Sequence, residues 1–200
     1  VRESVSENLI GQMKLQWWRD VIAAVFENGP VPKGNPVVEA LAQTISTYHL
    51  TRQCFEDPLA ARERDLSDDS PEDVGALEEY AAGTSSSLTS LVLEVLGARD
   101  PATMAAGHHV GIAWALTGLL RAVLFQAQAN RFLLPRDLMA KEDMTPHDVQ
   151  ERKNAERISR VVEQFAARAR GHLEKARRYA KSVDRRALPA LLPATLADGY

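Results

Sequence analysis

An all-α fold is predicted by three features of this sequence. Apolar residues recur at helical spacing along most of its length. The runs are bracketed by helix-capping and helix-breaking residues. No segment pairs period-two alternation of β-branched residues with hairpin turns. In the first run, Val5, Leu9, Met13, Trp17, Val21 and Val25 recur every fourth residue behind a Ser4/Glu7 capping box, and Asn28-Gly29-Pro30 ends it. Trp17 and Trp18 read as core and groove wall. Asn35 caps and Pro36 opens a second helix, with Val37, Leu41, Ile45 and Tyr48 on one face.

A third, short helix starts near Thr51 and ends in the acidic run Asp65-Leu66-Ser67-Asp68-Asp69. Ser70-Pro71-Glu72-Asp73 opens a fourth, whose apolar positions Leu77, Leu88, Leu91, Val92 and Val95 lead to Gly97. Its middle, Gly83-Thr84-Ser85-Ser86-Ser87, is a poor helix former, so a kink or a close helix approach is expected there. Asp100-Pro101 opens a fifth helix running to about Ala129. Thr145-Pro146-His147-Asp148 opens a sixth, continued by Ile158, Val161, Val162, Phe165, Ala169, Leu173, Ala176 and Ala180 with Arg and Lys on the other side. Leu188 to Pro193 reads as a proline-capped final helix.

The 200 residues are 45% hydrophobic and 26% charged, the proportions of a globular domain long enough to bury a core. A net charge of -3 leaves no basic footprint, which argues against a nucleic-acid partner. The single cysteine, Cys54, cannot form an internal disulfide and has no base beside it in sequence, so it reads as an inert thiol. The most apolar run, Val110 to Leu120, is too short for a bilayer and is closed by Arg121, so no transmembrane segment is expected. No secretory or transit signal opens the chain. Val1 stands directly before a strong helix pattern, so the sequence reads as beginning inside a larger protein.

Two literal Asp-x-x-x-Asp matches, Asp65 to Asp69 and Asp69 to Asp73, fall where one helix ends and the next begins, and read as capping and solvated residues. His108 and His109 point about 100° apart on a helix and cannot chelate together. Arg121 lies in an apolar helix and needs either an acid from a neighbouring helix or an anionic ligand.

The stretch from Leu116 to Gln126, with Thr117, Gly118, Leu120, Arg121 and Ala122, followed by Arg131-Phe132-Leu133-Leu134-Pro135, resembles the signature of the squalene/phytoene synthase family. Ala61 to Leu66, Leu77 to Tyr80 and Gln16-Trp17-Trp18-Arg19 extend the resemblance over essentially all 200 residues. That resemblance implies a single-domain, isoprenoid-synthase-like helical bundle over residues 1–200, with part of the family's N-terminal segment lying before Val1.

Where the family carries its second aspartate motif this chain has Ala122 and Gln126, neither an anionic oxygen ligand for Mg²⁺. Ala115, Gly118 and Leu133 also depart from the family pattern. Of the first motif, Glu3 is the one acid that could match. Val5-Ser6-Glu7 with Ile10 to Trp18, and Tyr80 with Thr84 to Leu88 and Leu93 to Gly97, look like the family's non-catalytic branch of complex I assembly factors.

The resemblance thus implies a degenerate synthase without catalytic residues, metal or cofactor, acting as an assembly or scaffolding factor for respiratory complex I subunits or assembly intermediates, or binding a prenyl lipid. Its compartment would be the bacterial cytoplasm, or the mitochondrial matrix facing the inner membrane. The alternative is an active, Mg²⁺-dependent prenyltransferase joining two prenyl diphosphates head-to-head. Candidate substrate- or lipid-contacting residues are Arg62, Tyr80, Thr117, Arg121 and Arg131.

Overall fold

The computed structural model describes residues 8–67 and 69–200. The Ser4/Glu7 capping box, Glu3 and Asp68 lie outside them. The described residues are helical, with no strand among them. In order they form α1 (Asn8–Phe26), α2 (Pro36–Tyr48), α3 (Gln53–Ala61), a 3-10 turn (Arg62–Leu66), α4 (Val74–Ala81), a π-helical turn (Ala82–Ser86), α5 (Ser87–Val95), α6 (Pro101–Gln128), α7 (Arg136–Lys141), α8 (Pro146–Gln150) and α9 (Ala155–Arg178). A second 3-10 turn (Arg185–Ala187), α10 (Leu188–Leu191) and α11 (Pro193–Asp198) follow.

Capping side chains set the starts of α2, α4, α6 and α8. The Asn35 side chain accepts from the Val37 and Val38 amides, and Asp100 accepts from Thr103. Thr145 and Asp148 close a reciprocal capping box at α8. The fourth helix begins three residues later than its Ser-Pro signal, because Asp73 is the residue that caps it, through the Ala76 amide. Pro71 and Glu72 instead accept backbone hydrogen bonds from Arg136 and Asp137 at the start of α7.

The weak middle of that helix is a π turn packed against α6. A methyl group added to Gly111 would sit 2.5 Å from the Ser86 Cα, so only glycine permits this approach. The expected long helix from Thr145 to Ala180 is interrupted: Arg152 and Asn154 adopt positive φ, and α9 starts afresh at Ala155. The C-terminal helix is likewise divided, since Pro193 cannot donate a backbone hydrogen bond.

α6 is the centre of the fold. Its buried positions Ile112, Leu116, Val123 and Ala127 join Val161, Phe165 and Ala169 of α9, Leu77 and Ala81 of α4, and Leu134 and Met139 in one core. At 28 residues it is long and apolar enough, by length and composition, to cross a bilayer, which the shorter run Val110 to Leu120 did not indicate. In this fold it lies among α4, α5, α9 and α11, where a helix apolar all round finds partners.

α1 follows its four-residue spacing in its C-terminal half, where Val21 is buried and Val25 packs on the core, and departs from it in its N-terminal half; Val5 lies outside the described residues. Gly11, Leu15, Val21 and Ile22 are buried, whereas Leu9 and Met13 are each 64% exposed and Trp17 also faces out. The helix carries apolar residues on two sides, and packing on α3 chooses Leu15 and Ile22. On α5 the same choice buries Leu93 and turns Leu88 and Val92 outward.

Candidate functional site

A cavity of about 540 Å³ opens between the 3-10 turn, the loop before α4, α4 itself, the C-terminal half of α6 and the segment following it. Ala122 and Gln126, one turn apart on α6, both face it. Their placement follows from helix geometry: Val123 and Ala127 are buried in the core, so their neighbours at 122 and 126 turn toward the cavity. Leu77, Leu119, Phe132 and Leu133 supply an apolar wall.

The polar rim is built around Tyr80. Its hydroxyl donates to Asp65 Oδ1 at 2.9 Å and accepts from the Arg62 guanidinium at 2.6 Å, and Arg62 also bonds Asp65 Oδ2 at 2.9 Å. Burial pushes the Tyr80 phenol up to about 12, with the Asp65 carboxylate adding to it, so the hydroxyl stays protonated. Arg64 is committed to the Ala76 carbonyl at 2.6 Å and to Glu79 at 2.9 Å. Arg131 completes the lining.

Three of the five candidate contact residues, Arg62, Tyr80 and Arg131, therefore meet at one cavity, beside Ala122 and Gln126. Thr117 does not join them: it is buried, and its hydroxyl donates to the Ala113 carbonyl at 2.8 Å. Arg121 lies elsewhere too. It is exposed, with its guanidinium stacked 3.8 Å from the centre of the Tyr200 ring, so it needs no buried acid.

Asp65 is the site residue that sequence reasoning passed over. It sits in a 3-10 turn and closes the Tyr80 hydroxyl instead of capping a helix. The tertiary pairing with Tyr80 is 15 residues away in sequence, and no local pattern marks it. Asp69 also lines the cavity, while Asp73 behaves as the cap its position indicated.

A second cavity of about 550 Å³ lies on the other side of Tyr80, bounded by Cys54, Gly83, Ser86 and His108. Burial, with Glu94 and Asp57 adding to it, pushes the Cys54 thiol up to about 11, which leaves it protonated and unreactive at neutral pH. His108 bonds the Ser86 hydroxyl at 2.8 Å, and His109 meets His172 of α9 across 3.1 Å between their Nδ1 atoms. The adjacent histidines thus serve two different contacts. Among the described residues no group of three or more His, Cys, Asp or Glu is placed to hold a metal ion.

The geometry can bind but offers little for metal-assisted chemistry. Mg²⁺ seeks oxygen donors, mostly carboxylates and water, in near-octahedral array. Here Ala122 has no donor, the Gln126 amide oxygen is enclosed without a hydrogen-bond partner, Asp65 is already engaged, and Asp69 and Glu72, which also line the cavity, do not gather with it into a group placed to hold an ion. The described donor set does not fit the ion.

Comparison with known proteins places this architecture. The family described as Squalene/phytoene synthase matches residues 1–200. NADH dehydrogenase (ubiquinone) complex I, assembly factor 6 of Rattus norvegicus is 32% identical over 200 residues, which are all of this chain and 60% of that protein. Presqualene diphosphate synthase of Rhodopseudomonas palustris is 27% identical over 178 residues, 88% of this chain and 62% of the enzyme. The chain thus spans about 60% of the length of these relatives. The crystal structure of squalene synthase HpnC from Alicyclobacillus acidocaldarius superposes with a TM-score of 0.82 at 19% identity, covering 94% of this chain and 71% of that one. At that identity the likeness establishes the shared all-α isoprenoid synthase fold.

Proposed function

The chain belongs to the squalene/phytoene synthase family, and within it we propose a non-catalytic member that works as an assembly or scaffolding factor for respiratory complex I. The observation that carries this reading is the pair Ala122 and Gln126. They occupy one face of α6 at the i, i+4 spacing that would hold two carboxylates over the cavity, and they offer none. The metals of a head-to-head synthase neutralise the leaving diphosphate, and without that neutralisation an allylic cation does not form. The relative named as a complex I assembly factor, at 32% identity, supports the assembly role and makes complex I subunits or assembly intermediates the proposed partners. The setting proposed with it is the bacterial cytoplasm, or the matrix face of the inner membrane in a mitochondrion.

The test is a calorimetric titration with Mg²⁺ and a farnesyl diphosphate analogue, together with a product assay. No metal-dependent heat and no condensed product are expected. The double variant Ala122→Asp, Gln126→Asp is expected to remain inactive, because Ala115, Gly118 and Leu133 also differ from the family pattern. Chelator-sensitive tight binding, or condensation of prenyl diphosphates by the unaltered protein, would establish the alternative, an active prenyltransferase. The presqualene diphosphate synthase relative is what keeps that alternative in view.

A further inference from the structure

Among the described residues, the cations and carboxylates lining the Ala122/Gln126 cavity are equal in number, and two of the three cations are already engaged. Among the described residues these are the cations Arg62, Arg64 and Arg131 and the carboxylates Asp65, Asp69 and Glu72. Arg62 is held by Asp65 and Tyr80, and Arg64 by Glu79 and the Ala76 carbonyl. A diphosphate entering here without a bound cation of its own meets the carboxylates of the rim, and its multiple negative charge finds two of the three cations already engaged. Moving such an anion from water into a partly enclosed site is costly unless it is matched by opposite charge.

An uncharged head meets no such opposition. A hydroxyl both donates and accepts, so it can pair with a carboxylate such as Asp69 and with Arg131 or the Gln126 amide at once. The wall beyond the rim, Leu77, Leu119, Ala122, Phe132 and Leu133, suits a hydrocarbon chain, and the volume of about 540 Å³ is within the range of small-molecule sites.

We infer that this cavity takes an uncharged amphiphile, an apolar chain ending in a hydroxyl, in preference to the same chain ending in a diphosphate. The inference rests on reading the cavity as non-catalytic, and it adds the ligand class.

Farnesol and farnesyl diphosphate form a matched pair of probes, since they share a tail and differ at the head. Each is titrated into the protein in chelator and again with Mg²⁺. Binding is followed by calorimetry and by the methyl resonances of Ala122, Leu119 and Leu133. Farnesol is expected to bind at least tenfold more tightly than farnesyl diphosphate in chelator, to shift those methyls, and to be indifferent to Mg²⁺. The substitution Ala122→Phe, which fills the cavity, is expected to remove farnesol binding.

Equal or tighter binding of the diphosphate in chelator overturns the preference. Farnesol binding that survives Ala122→Phe or leaves the cavity methyls unmoved places it elsewhere and overturns the inference. Failure of both probes to bind overturns the ligand class and leaves the non-catalytic reading standing. Diphosphate binding that appears only with Mg²⁺ overturns the non-catalytic reading itself.

Discussion

Replacing Gly111 by alanine isolates the approach of α6 to the π turn. The added methyl would lie 2.5 Å from the Ser86 Cα, 2.8 Å from the Ser86 nitrogen and 3.0 Å from the Ser85 carbonyl oxygen. All three are backbone atoms, so no side chain can rotate away, and α6 must separate from the π turn by about 1 Å to restore ordinary contact. Overpacking of this kind costs about 1 to 3 kcal/mol, set against a gain of about 1 kcal/mol from the better helix former.

The loss should sit at the upper end of that range, because the same movement strains the Ser86–His108 hydrogen bond one turn away. We therefore expect Gly111→Ala to lose about 2 kcal/mol net. Gly118, on the same helix, has nothing within 4 Å of its virtual methyl, so Gly118→Ala should gain about 1 kcal/mol. Gly107→Ala meets side chains rather than backbone, Leu93 Cδ1 at 2.4 Å and Thr89 Cγ2 at 3.4 Å, whose ends can shift, and should fall between them. Urea unfolding of the three variants, with unchanged denaturant slopes, gives the comparison directly. Equal stability of Gly111→Ala and Gly118→Ala would refute the packing argument.

Three further outcomes follow from the same structure. Arg121→Met should cost less than about 1 kcal/mol in urea unfolding, the scale of an exposed cation–ring contact; a loss of about 3 to 5 kcal/mol would mean a buried ion pair after all. Glu94 is buried, accepts from the Thr51 amide at 2.8 Å and pairs with Arg99 at 3.1 Å, so Glu94→Ala should cost about 2 to 3 kcal/mol, and a neutral effect would show that these groups find water instead. Burial, with His172, His108 and Lys175 adding to it, pushes His109 down to about 4, and burial also lowers His172. The unfolded chain then binds more protons than the folded one between about pH 4 and 6.5, so stability is full above that window and falls as pH drops through it. The full window would give about 2 kcal/mol between pH 7 and 5, but His109 is only partly buried and solvent screens the effect, so relative to His109→Phe the unaltered protein should lose about 1 kcal/mol, and a flat difference would refute the assignment.

Much of the fold was legible because its determinants are local. Asn35 before Pro36, Asp100 before Pro101 and Thr145 before Pro146 each fixed a helix start, since a cap satisfies amides two or three residues away. The α9 stripe from Val161 to Ala176 was legible for a similar reason, because charges leave one face of that helix apolar. His172 joined its buried face unannounced, drawn in by Glu78 of α4 and His109 of α6. The loss of both carboxylates at Ala122 and Gln126 was also plain in the letters alone.

What only the tertiary structure decided was orientation. Along α6 and α1, apolar residues occupy more than one side, so periodicity defines the faces without saying which one meets the core. Packing of α9 and α4 on α6 turned Ala122 and Gln126 toward the cavity and sent Arg121, one residue earlier and about 100° around the helix, out to Tyr200. The cavity joins segments some 60 residues apart, Arg62 and Asp65 with Tyr80 and with Ala122 to Arg131. A contact between such distant segments depends on how helices stack, which local spacing does not encode.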